Sequence, residues 1–284
     1  MAIIRDVELK TKKGRLVYRL IFVILVIGAF VQFFPLFWMI LGTFKTDKEL
    51  ISAIPTLFPK RWSLAAYKNA FEAYDIWRNI GNTLVLCSVT IVLQISNSAL
   101  SAYSLSKMRP RFGKQILLII LGTMMFSGAA LMFPLYIMMA DLGLLGSKWA
   151  LILSSGAWAY TIFLFKNFFD NIPTDLMEAA RIDGASNMRT FFSIVLPLSK
   201  AVFAVNILNS FMALYNDFLY PLMLLPDEKN WTIMIRIYNL DMVGRVQPTS
   251  MYVLLVTAVM PILLVYLLAQ RNIAEGISTT GIKG

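Results

Sequence analysis

Six runs of predominantly apolar residues, at 16–42, 80–103, 115–140, 149–169, 201–225 and 251–269, dominate this chain. About 20 such residues in helical form cross the hydrocarbon region of a bilayer, where every backbone polar group must be satisfied within the protein. The runs lack a period-two alternation, so helices are expected and strands are not. With 58% hydrophobic and 15% charged residues, no soluble core of ordinary surface could hide this much apolar area. The expected fold class is all-α, a polytopic membrane protein with six transmembrane helices and a cytoplasmic helical hairpin. No Gly/Ser linker, internal repeat or low-complexity tract divides residues 1–284, so a single transmembrane domain is expected.

Short basic loops resist translocation, and acidic residues count little. Lys10, Lys12, Lys13 and Arg15 precede the first run, and Lys107, Arg109, Arg111 and Lys114 follow the second without an intervening acid. Both segments belong inside, which puts both termini in the cytoplasm and Trp38, Trp77 and Trp149 near the outer interface, where amphipathic rings are favoured. A net charge of +10 would point a soluble protein toward nucleic acid. Here the basic residues flank membrane runs, so the charge reports topology and no nucleic-acid partner is expected. The first run is too long for a signal peptide and lacks a small-residue cleavage pattern.

One cysteine and no histidine exclude an internal disulfide framework, a Cys/His zinc cluster and a Ser-His-Asp triad. Cys87 reads as a small apolar residue within the second run. The segment Gly143 to Lys148 has the wrong spacing for a phosphate-cradling loop and falls on the outer side. No catalytic residue, metal ligand or cofactor site is expected, and any ATP must be handled by another chain.

Between the fourth and fifth runs, at about 170–198, lies a polar hairpin. Pro173 suits a first helical position and Asp175 sits near the positive end of the helix dipole. Residues 176–183 form a short helix in which Ala179 and Ala180 let a partner approach the backbone, while Glu178 and Arg181 offer charges. Gly184 can adopt the left-handed conformation that ends a helix, and Ser186 can cap the next, at 188–195. Leu196-Pro197 marks the passage to the fifth run.

This string, Glu178-Ala179-Ala180, Gly184, Ile194 and Leu196-Pro197, resembles the cytoplasmic coupling loop of ABC importer permeases. With Ile182, Asp183, Ala185 and Phe191 or Phe192 it is similar to the carbohydrate-uptake branch, the maltose-type, binding-protein-dependent family. The resemblance implies a type I-like importer permease of a bacterial or archaeal cell membrane, not an enzyme. It would form half of a path for a sugar or oligosaccharide delivered by an extracellular solute-binding protein. A second permease chain would complete the path, and two ATP-binding subunits, carrying ATP and Mg, would engage Glu178, Ala180 and Gly184. The terminal segment 275–284 resembles the small-residue, Lys-Gly-ending tail of that family, with Thr280 where Gly is common. It lies against the ATPase dimer or is a frayed end.

The fifth run carries Asn206, Asn209, Ser210, Tyr215, Asn216 and Asp217. Polar groups at that depth face protein or water. Asn206, Asn209 and Ser210 share a helical face, and Asn216 to Pro221 resembles a sugar-permease motif in which Tyr215 replaces the usual Trp. These groups line the path, or they are interhelical glue and helix caps. In the second run, Gln94, Ser96, Asn97, Ser98, Ser101 and Ala102 suit close helix packing.

Two outer segments could dock the binding protein or form ordered lids. Residues 44–78 carry Trp62, Tyr67 and Trp77, and residues 226–250 carry Trp231, Tyr238, Asp241 and Arg245. The alternatives to an importer permease are an ATP-independent channel or secondary carrier, which would need a relay of intramembrane acids where only Asp217 stands, and a membrane assembly subunit.

Overall fold

A computed structural model describes residues 12–243 and 247–280, with side chains described at 13–240 and 247–270. Lys10, Arg245 and the end of the tail at 281–284 lie outside the described residues, as do the side chains of Lys12, Asp241 and 271–280. Among the described residues every regular element is helical, with no strand. Along it run α1 (Lys12–Gly42), α2 (Asp47–Leu50), α3 (Ala65–Ala73) and α4 (Ile76–Tyr103), which continues into a π-helical turn at Ser104–Met108. Next come α5 (Gly113–Thr123), α6 (Gly128–Asp141), α7 (Lys148–Ser154) and α8 (Ala159–Asp170). The hairpin holds α9 (Asp175–Ile182), α10 (Asn187–Thr190), a second π-helical turn (Phe191–Val195) and α11 (Leu196–Leu198). The chain ends with α12 (Lys200–Asn216), α13 (Leu219–Leu224), α14 (Ile233–Val243) and α15 (Pro248–Thr280).

Three helical stretches, Lys13–Gly42, Ile76–Met108 and Pro248–Gln270, are each long and apolar enough to cross a membrane. The remaining apolar material is bent. α5 and α6 meet at 99°, and α7 and α8 at 43°. Among the described residues, length and composition give three candidate spans, or up to six if each bent pair is one span. The run at 201–225 also differs from expectation. It breaks after Asn216, and the apolar pair containing α12 reaches back instead to Asn187–Leu198, at 82°.

The chain divides into two compact units, one built from residues up to Ile76 with Leu240–Met260, the other from Trp77–Asn239 with Pro261 onward. In the first unit, α1 presents apolar side chains around its whole circumference, with Ile24, Leu25 and Phe30 about two-thirds exposed, as a helix surrounded by hydrocarbon does. The segment that follows it is tied down by polar contacts. The Lys45 ammonium sits 4.5 Å over the Trp38 ring and donates to the Thr56 carbonyl. Asp47 Oδ1 accepts from the Thr249 amide at 3.0 Å and its hydroxyl at 2.8 Å, placing a carboxylate at the positive end of α15. Gly42 is required by close approach, since a Cβ there would stand 3.3 Å from the Tyr252 ring.

The second unit has two buried clusters. One gathers Ala99, Ala102 and Tyr103 of α4 with Phe165 and Phe169 of α8 and Phe191 and Val195 of the hairpin. Small residues on α4 let the Phe-rich face of α8 seat closely, and Phe165 meets Phe203 at 4.6 Å. The other cluster packs Leu86, Met139 and Leu151 against Leu224, Leu225 and Ile235. Cys87 is buried within α4, in keeping with a packing role.

Candidate functional site

The hairpin is a preformed elbow whose two corners are set by local chemistry. α9 ends in a Schellman arrangement: the Ala185 amide donates to the Ala180 carbonyl at 2.9 Å and the Gly184 amide to that of Arg181 at 3.0 Å. This demands a left-handed residue, and Gly184 supplies it with φ of +76°. Ser186 then caps the restart, its Oγ accepting from the Arg189 amide at 3.3 Å. Pro173, by contrast, stands before the helix, which starts at Asp175. The restarted segment also runs past the expected end at 195, because its π-turn carries the helical path through Leu196-Pro197 to Leu198.

Both ends of the elbow are fastened to α4 and α8. At the entry, Lys107 Nζ donates to the Ile172 carbonyl at 2.6 Å, and Asp170 accepts from Ser106 at 2.7 Å and Lys166 at 2.6 Å. The π-turn at Ser104–Met108 brings Ser106 and Lys107 to that corner, and Arg109 closes it in a left-handed conformation with φ of 47°. At the exit, the Tyr103 hydroxyl donates to the Asn187 carbonyl at 3.2 Å, and its ring lies 5.2 Å from that of Phe191. Met177, Phe191 and Val195 are buried beneath.

Glu178, Ala179, Asp183 and Gly184 are exposed, and Ala185 and Ile194 are half-buried. Leu196 is half-buried and Pro197 exposed at the exit. Ala180 is not part of the open face: it is 7% exposed and turned inward, so only Ala179 of the pair offers its small surface. The tip instead displays apolar groups that the polar reading of the hairpin underrated. Ile182 is 86% exposed, with Met188 and Phe192 each more than half exposed. Apolar side chains set among exposed charges form the composition of a docking surface.

A cavity of about 580 Å³ opens in the same unit, lined by Gln94 of α4, Ser154 and Ser155 at the α7 end, Trp158, and Ser210, Asn216 and Asp217 of the α12 end. Of the six polar residues proposed on the fifth run, Ser210, Asn216 and Asp217 reach it. Asn206 is fully buried and donates to the Val202 carbonyl at 3.0 Å, Asn209 is half-buried, and Tyr215 is buried against Phe211 at 5.3 Å. Tyr215 is therefore a core residue away from the cavity wall. Asp217 also serves as a cap, its Oδ1 accepting from the amides of Leu219 at 3.1 Å and Tyr220 at 3.4 Å. Gln94, expected to serve helix packing, is 4% exposed and also borders the cavity.

Thr90, Gln94 and Ser98 recur every fourth residue along α4, while Thr161 lies on α8 and Asn206 and Ser210 on α12. Each has a buried side-chain oxygen without a hydrogen-bond partner in the protein. In the segment after α13, Arg236 bonds Asn79 at 3.2 Å, pairs with Glu228 at 2.5 Å and lies 4.9 Å from the Trp231 ring. Lys148 donates to Asn82 at 2.7 Å, and Asn82 donates to the Lys229 and Trp231 carbonyls. Trp231 is thereby part of a fixed polar corner.

Apolar helices long enough to span a bilayer, a cavity lined by both polar and apolar side chains and an exposed elbow together define a membrane transport component. The chain belongs to the family described as binding-protein-dependent transport system inner membrane component, which matches residues 94–279. It is 32% identical to the polygalacturonan/rhamnogalacturonan transport system permease protein YtcP of Bacillus subtilis, over 96% of this chain and 100% of that one. It is 29% identical to the diacetylchitobiose uptake system permease protein NgcG of Streptomyces coelicolor, over 90% of this chain and 85% of that one. Its fold is similar to that in the crystal structure of a bacterial ABC transporter involved in the import of the acidic polysaccharide alginate. The TM-score is 0.82 at 23% identity, over 92% of this chain and 98% of that one.

Proposed function

We propose that this chain is the permease subunit of an ATP-driven sugar importer, forming half of a translocation path with a second permease chain. In this reading the chain crosses the membrane six times, each bent pair counting as one span, with both termini in the cytoplasm. A solute-binding protein delivers the sugar from outside. ATP and Mg are held by two separate ATP-binding subunits, which grip the elbow around Glu178, Asp183 and Gly184.

The single observation that carries this reading is the exposed elbow fastened at both ends. Because Lys107 and Asp170 fix its entry and Tyr103 and Phe191 its exit, a push on the tip moves α4, α8 and the start of α12 as a body. Bistable packing then turns a small displacement at the elbow into opening or closing of the cavity.

The test is an Ile182→Cys variant, chosen because Ile182 is exposed whereas the native Cys87 is buried. Crosslinking from position 182 in membranes containing the co-expressed ATPase should capture that subunit, and reconstituted vesicles should take up sugar only with ATP. Labelling of position 182 by an impermeant thiol reagent added outside intact cells, or uptake independent of ATP, would refute it.

A further inference from the structure

From the lining of the cavity we infer that this chain accepts neutral, hydroxyl-rich sugar rings and turns away uronate saccharides, a specificity that rests on the importer function proposed above. The cavity, at about 580 Å³, lies within the range of small-ligand sites, roughly 300–1,000 Å³. Its wall offers polar groups within a ligand's reach. Ser154, Ser155, Asn216 and Asp217 line it and are half-buried or exposed. Side chains of this kind exchange hydrogen bonds with sugar hydroxyls, which both donate and accept.

Trp158 adds an apolar face. It sits in the bend between α7 and α8, lines the cavity and is 37% exposed, with its other neighbour Tyr160 at 5.6 Å between ring centroids. A large ring with an open face beside hydroxyl-binding groups suits the apolar C–H face of a pyranose.

Charge decides between sugar classes. Among the described residues that line it, Asp217 is the one carboxylate, and none is Lys or Arg. A uronate entering here would bring its carboxylate toward that of Asp217 with no cation of this lining to pair either one, and like-charge juxtaposition away from water is strongly unfavourable. A neutral ring meets no such penalty and can donate a hydroxyl to Asp217. The acidic polymers named for YtcP and for the alginate importer are therefore the wrong guide to this cavity.

The experiment uses the whole transporter, purified with its co-expressed partner subunits in nanodiscs but without a binding protein, so that the extracellular receptor does not choose the ligand. Saturation-transfer NMR is recorded with maltotriose, cellotriose and chitotriose as neutral probes and trigalacturonate as the acidic one. At least one neutral trisaccharide should give ring-proton signals that trigalacturonate fails to displace at about tenfold excess. Asp217→Asn retains an oxygen for the α13 cap while removing the charge, and should bring trigalacturonate within about tenfold of the neutral probe. Trp158→Ala should weaken the neutral probe by about tenfold.

Trigalacturonate binding the unaltered transporter as well as the neutral probes, or no neutral probe binding, overturns the inference without need of any variant. ATP-dependent uptake by the same preparation with its binding protein restored is scored separately. Retained uptake with inverted selectivity removes only the specificity, whereas uptake that ignores ATP removes the importer function itself.

Discussion

The ammonium of Lys107 donates to the backbone carbonyl of Ile172 at 2.6 Å, joining the π-turn that ends α4 to the residue where the chain leaves α8 for the elbow. A long side chain thus replaces a backbone bond at a corner where neither helix continues. Burial holds the neighbouring polar groups in place, since Ile172 is only 6% exposed.

Replacing that ammonium should loosen the elbow without preventing insertion. For Lys107→Met we expect a stability loss of about 1.5 kcal/mol, the low end for a charged bond because the side chain is half-exposed. Sugar transported per ATP hydrolysed should fall more than ATP hydrolysis itself. Thermal unfolding in detergent and a coupling ratio in vesicles measure the two effects.

Gly184 tests the left-handed corner. Nothing lies within 4 Å of where its Cβ would stand, so Gly184→Ala meets only the backbone penalty of φ +76°, about 1–2 kcal/mol. Gly184→Asn should be milder than Ala. Gly184→Pro should be the most severe, since proline fixes φ near −65° and removes the amide that bonds Arg181. The expected order in uptake assays is Gly, Asn, Ala, Pro, with all four inserted in the membrane.

Gly156 tests close packing at the α7–α8 break. A Cβ there would stand 2.7 Å from Leu93 Cδ2 and 3.2 Å from the Ile152 carbonyl, and Asn97 also bonds the Gly156 carbonyl at 3.0 Å. Gly156→Ala should destabilise by about 1–3 kcal/mol. Adding Leu93→Val should restore part of that loss, a coupling that a double-mutant cycle in thermal unfolding would read.

The outer segment carries a pH dependence. The Thr56 hydroxyl bonds Glu49 at 2.5 Å and, with the Lys60 amide and the Lys45 and Lys60 charges, holds its carboxyl below the usual range against a smaller opposing effect of burial. A depressed folded-state value stabilises the ionised form. The contribution is present above the unfolded value of 4.5 and is lost as pH falls through the folded value beneath it. Hydrogen-exchange protection over residues 45–61, taken relative to the intrinsic rate at each pH, should therefore fall below about pH 4.5. Thr56→Val should shift that fall to higher pH.

How legible all this was depends on range. Gly184 and Ser186 announced their roles because caps are decided by neighbours within four residues, and the geometry matches the reading. The inward turn of Ala180 could not be separated from the exposure of Ala179, since two adjacent alanines look alike until α9 has a surface to rest on. Apolar runs announced membrane material, yet the 99° bend between α5 and α6 escaped, because hydropathy records composition and not direction. Asn206, Ser210 and Gln94 stood out as polar groups among apolar ones. Which of them faces a cavity was fixed only when α4, α7 and α12 came together around it.

The bare circumference of α1 has a practical outcome for anyone handling the protein. At 31 residues and about 1.5 Å per residue it reaches well beyond a hydrocarbon slab of about 30 Å. It must therefore lean, or project through the headgroups, by an amount set by the host bilayer. Acyl-chain length is thus an experimental variable in its own right: thin and thick vesicles will hold this helix at different tilts.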